Sequence, residues 1–79
     1  MIHITGNQLR SARAFRDERL ADVAVRSGVP ITTVWRAESA GEEVPNALAR
    51  TLSKLVGYYE QSGIRFINND GAVGVLRIR

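Results

Sequence analysis

Apolar residues change their spacing several times along this chain, and each change predicts an element. Met1 to Thr5 alternates, with Ile2 and Ile4 on one side and His3 and Thr5 on the other, the period of a short strand. From Gln8 to Arg16 the step becomes three. Leu9, Ala12 and Phe15 fall on one face, and Gly6-Asn7 before them suits a helix start. Leu20 to Glu38, LADVAVRSGVPITTVWRAE, holds two shorter helical runs about a glycine. Val23 and Ala24 face inward from the first run, and Gly28 sits where the chain reverses and φ > 0 is cheap only for glycine. Val29 plugs the corner, and Val34 and Ala37 recur three apart on the second run. Small residues at Ala24 and Ala37 let the two helices cross closely at a wide angle, so the stretch reads as a helix-turn-helix over about 20–38.

Ser39 to Pro45, SAGEEVP, breaks the pattern with a glycine, two glutamates and a proline and reads as a loop. Asn46 then caps a last helix to about Ser62, in which Leu48, Leu52, Leu55, Val56 and Tyr59 recur at three- and four-residue steps before Gly63 ends it. Gly57 in its middle costs roughly 1 kcal/mol against alanine, so an unbroken helix there asks for a closely packed neighbour. From Ile64 the period returns to two. IRFIN and AVGVLRIR flank Asn69-Asp70-Gly71, which predicts a β-hairpin over about 64–79. Leu76 and Ile78 share one face of its second strand, and Val75, Arg77 and Arg79 share the other. An isolated hairpin is marginal in water, so Ile2 to Thr5 is expected to add a third strand and the hairpin to meet a second subunit. The expected fold is mainly α (α+β), a single domain over 1–79. It is a helix-turn-helix bundle of four to five helices, with a short N-terminal strand and a C-terminal β-hairpin in a small antiparallel sheet.

Seventy-nine residues bury only a small core, and chains of this size often gain stability by oligomerising, here through the hairpin, through the last helix with Tyr58 and Tyr59, or through both. There is no cysteine, and no run approaches the roughly 20 apolar residues that span a bilayer; the expectation is a soluble, cytoplasmic protein without a membrane partner. Eleven Lys and Arg stand against eight Asp and Glu, a formal charge of +3, and ten of the eleven cations are arginine. Arg10, Arg13 and Arg16 share a face of the first helix and Arg19 continues the series. This stripe suits a phosphate backbone, or else a solvated face paired locally with Asp17, Glu18 or Glu38. One histidine, no cysteine and no evident carboxylate pair argue against an enzyme, and no cofactor or metal is expected. His3 reads as an exposed strand residue. DGAVGV is no phosphate loop, because no Lys-Ser/Thr and helix follow it.

Strand, helices and hairpin in this order resemble the Cro/C1-type (XRE-like) helix-turn-helix regulators, and the chain ends look like those of the phage Cro repressors. The segment SGVPITTVWRAE is similar to the recognition-helix region of that family, and FINNDGAVGV to its hairpin. The resemblance implies a sequence-specific transcriptional regulator, a repressor or autoregulator bound as a homodimer to a pseudo-palindromic operator in double-stranded DNA and nucleoid-associated when bound. It places Ile31, Thr32, Trp35 and Arg36 in the major groove, with Arg10 and Arg19 on phosphates. Arg36 suits O6 and N7 of guanine, or a phosphate; Ile31 suits a thymine methyl; Thr32 and Thr33 suit DNA or the helix cap, the cap being expected of Thr33. Arg13 and Glu38 match a buried pair that ties helix one to the end of the recognition helix. Two departures stand out: Leu20 occupies a position that is commonly glutamine, and Ile31 and Trp35 occupy positions that are commonly polar. Their apolar face opens an alternative, a protein-interaction module such as an anti-activator or an antitoxin.

Overall fold

Thr5 starts the first helix by satisfying donors that the helix itself leaves open. Its hydroxyl accepts from the Gln8 backbone N–H at 3.2 Å, and the Gln8 side-chain oxygen accepts from the Thr5 N–H at 2.9 Å, a capping box for α1 (Gly6–Phe15). The computed structural model describes residues 3–69 and 71–78. Asp17 ends α1 in the left-handed conformation, φ 53°, with its own N–H and that of Glu18 donating to the Ala14 and Arg13 carbonyls. Glycine usually takes this place. The chain then runs through α2 (Leu20–Ser27), Gly28 at φ 76°, α3 (Ile31–Glu38) and α4 (Ala49–Gln61). Gly63, φ 91°, turns it into an antiparallel hairpin, β1 (Ile64–Asn69) and β2 (Ala72–Arg77), in which Ile64 pairs with Arg77 and Phe66 with Val75.

The described residues thus form a small α+β globule of four helices and one two-stranded sheet. Leu9, Ala12, Val23, Val29, Val34, Ala37, Leu55, Tyr59 and Ile64 are buried together, and Ala24, Phe66 and Val75 pack against them. Every inward position expected of the helix-turn-helix is therefore inward. Tyr59 stands in this core with its hydroxyl unpartnered among the described residues, and burial pushes its pKa up.

Several expectations are corrected. His3, Ile4 and Thr5 form no strand, and Met1 and Ile2 lie outside the described residues. The Thr5 N–H is taken by Gln8, whose Nε2 donates to the Ile67 and Gly74 carbonyls at 3.0 and 2.9 Å; a buried side chain joins α1 to the hairpin where a third strand was expected. Phe15, the last residue of α1, is exposed because the chain turns away from the core at Asp17. Asn46 does not cap α4: buried Pro45 accepts from the Ala47 N–H, a turn that delays the helix until Leu48 becomes its N-cap and leaves that leucine 67% exposed. At Gly57 the helix continues unbroken although nothing lies within 4 Å of where a Cβ would be. On the hairpin, Val75 faces the helices while Leu76 and Ile78 are exposed. Tyr59 is buried in the core, and half-buried Tyr58 donates to Glu18.

Candidate nucleic-acid interface

α3 buries Val34, Ala37 and Glu38, which leaves Ile31, Thr32, Trp35 and Arg36 outside. At 3.6 residues per turn these four span an arc of about 140° on one side of the helix. Ile31 is 45% exposed and Trp35 57%. Thr33 is half-buried and caps nothing. Pro30 is the N-cap residue and accepts from the Thr33 N–H at 2.9 Å, so Thr32 and Thr33 fall inside the first turn, where a residue donates its N–H instead of capping.

The C-terminal end of α3 is held by charge and by close backbone packing. Arg13 from α1 forks onto Glu38, Nε to Oε2 at 2.8 Å and Nη2 to Oε1 at 2.9 Å, and its Nη1 donates to the Glu18 carbonyl at 3.0 Å. The hydrogen bond to Glu38 raises the Arg13 pKa against the opposing effect of burial. The pair therefore stands as the resemblance implied. Gly6 at the start of α1 lies so close to the end of α3 that an added Cβ would sit 2.6 Å from the Ala37 carbonyl oxygen.

The arginine stripe divides between structure and surface. Arg16 pairs with Glu18 at 2.8 Å and lies over the Tyr58 ring, and Arg26 of α2 reaches the other Glu18 oxygen. Burial pushes the Glu18 carboxyl up, but hydrogen bonds from Tyr58, Arg26 and Arg16 together hold it below its ordinary value. Arg10 stays exposed, bonded among the described residues to Asn7 alone, and Arg19 is exposed with Asp22 at 3.4 Å. Arg36 forms no ion pair among the described residues. Arg10, Arg19 and Arg36 are thus the cations of the expected set that face outward.

Two hollows flank α3. Arg10, Leu20, Trp35 and Ser39 line one of about 300 Å³ together with the Arg13–Glu38 pair. Thr33 and Arg36 line another of about 280 Å³ with Leu48 and Thr51 from the start of α4, a helix end with no side-chain cap and no acidic residue in its first turn. Sequence reasoning missed this helix end because Asn46 looks like its cap. A third, apolar hollow of about 470 Å³ runs along Val25, Val29, Pro30 and Ile31, where Val25 is 83% exposed. Among the described residues no three His, Cys, Asp or Glu side chains gather as metal ligands, and no helix is long and apolar enough to cross a membrane.

Comparison with protein-family models found no match, and comparison with curated proteins found none.

Proposed function

We propose that this protein is a sequence-specific DNA-binding transcriptional regulator, a repressor or autoregulator that reads a pseudo-palindromic operator as a homodimer. One observation carries the reading. α3 is anchored at its C-terminal end by Arg13, Glu38 and Gly6 and leaves Ile31, Thr32, Trp35 and Arg36 exposed along one side. Eight residues make a helix about 12 Å long, comparable with the width of the major groove. In this reading exposed Arg10, which lines a hollow with Trp35, and exposed Arg19 before α2 contact phosphates, and Arg36 serves guanine or phosphate. The hairpin supports a second copy: Leu76 and Ile78 are exposed, and its two strands have no third among the described residues.

The apolar hollow beside Val25 and Ile31 favours a second reading, a face for a protein partner. Selection of duplexes from a randomised library by the purified protein separates the two. The regulator enriches a two-fold motif with half-sites about one helical turn apart, and its affinity falls steeply as salt rises from about 50 to 200 mM. Arg36→Glu abolishes that binding without lowering the melting temperature. Equal weak binding to all duplexes, or full affinity in Arg36→Glu, overturns the regulator reading.

A further inference from the structure

We infer that the base contacts of α3 are made chiefly to the C5 methyl groups of thymine, so that each half-site bears thymines read by carbon surface. This rests on the DNA-binding reading above and specifies its ligand. The outward side of α3 holds few kinds of chemistry. Adenine is matched by the amide of Asn or Gln, and α3 has neither. The amine of cytosine is matched by a carboxylate, and the only carboxylate of α3, Glu38, is buried and forked onto Arg13. Arg36 covers guanine or a phosphate. What remains is the Thr32 hydroxyl, which suits more than one base and so selects none, and carbon. Ile31 stands at the first helical position, the Thr32 methyl is next to it, and Trp35 follows one turn on. In the major groove thymine alone among the four bases offers a methyl group, and apolar side chains are its natural contacts.

Charge decides between this ligand and an apolar protein face. Arg10 shares the hollow of Trp35, Arg36 adjoins it on the helix, and neither has a carboxylate within ion-pair distance among the described residues. Methyls flanked by phosphates are what a thymine-bearing groove presents to such a patch.

The motif enriched by selection from the random library is resynthesised with deoxyuridine in place of thymine, which removes only the methyl. Affinity is expected to fall about fourfold for each contacted methyl, the equivalent of about 0.8 kcal/mol per buried methylene, while the salt dependence stays the same. In Ile31→Ala and Trp35→Ala, both exposed positions checked for folding by circular dichroism, the difference between thymine and deoxyuridine disappears at the methyl each side chain meets. An enriched motif that lacks thymine, or one bound equally well with deoxyuridine, overturns the inference and leaves the regulator standing. If no motif is enriched, both fall together and the face around Trp35 belongs to a protein.

Discussion

Two glycines on helices behave oppositely at the scale of single residues. The three atoms nearest a Cβ at Gly6 would all be backbone, the carbonyl oxygens of Ala37 and Glu38 at 2.6 and 2.7 Å and the Gly41 nitrogen at 2.8 Å. None of these is the mobile end of a side chain, so Gly6→Ala is expected to cost about 2–3 kcal/mol by forcing α1 off α3. At Gly57 the space is open and the backbone already helical, so Gly57→Ala is expected to stabilise by about 0.5–1 kcal/mol. Urea denaturation of the two variants checks both signs; a neutral Gly6→Ala would show that the two helices do not need this approach. Tyr59→Phe removes a buried hydroxyl that has no partner among the described residues, so it is expected to leave stability unchanged or to raise it.

Between elements, Gln8 ties α1 to both strands of the hairpin. One side chain closes the capping box and donates to a carbonyl on each strand. Gln8→Leu leaves these groups without partners and is expected to cost about 2–3 kcal/mol, a cap loss plus unsatisfied carbonyls. Thr5→Ala removes the cap alone and costs about 1 kcal/mol. Native-state hydrogen exchange tells the two apart. The hairpin amides lose protection relative to α2 and α3 in Gln8→Leu and keep it in Thr5→Ala. Equal protection of the hairpin in both variants would mean that Phe66 and Val75 hold it without Gln8.

Across the whole molecule, Glu18 is the point where three helices meet. It lies just after α1 and accepts from Arg16 at the end of α1, Arg26 of α2 and Tyr58 of α4. Its pKa is lowered in the folded state, so its stabilisation is complete above the ordinary value of 4.5 and is lost as pH falls through the lower folded value. The arginines stay charged throughout this range. Denaturation midpoints measured from pH 7 to pH 3 are expected to stay level down to about pH 5 and then drop. In Glu18→Gln the midpoint is lower at pH 7 and the later drop is smaller. An acid transition identical in wild type and Glu18→Gln would remove Glu18 from its cause.

The helices, the left-handed glycines at the turns and the hairpin were legible in the chain because they depend on near neighbours: an apolar period, a glycine where φ is positive, a turn between alternating runs. That Val34 and Ala37 of α3 are inward followed from the same period, whereas its outward residues were named through resemblance. The Arg13–Glu38 pair was legible only through resemblance, since 25 residues separate its partners. Other features depended on what stands opposite each face. Periodicity says which residues share a side, but not whether the core extends far enough to cover Phe15 or Leu48. Nor does it say that Gly6 meets backbone while Gly57 meets nothing, or that Gln8 takes the place of a strand. The arginine stripe was sorted in the same way. The Arg16–Glu18 pair was open to a local reading, but that Tyr58 and Arg26 also gather on Glu18 was not, and Arg10, Arg19 and Arg36 kept their charge facing outward. Such meetings join residues far apart in the chain, and no local pattern encodes them.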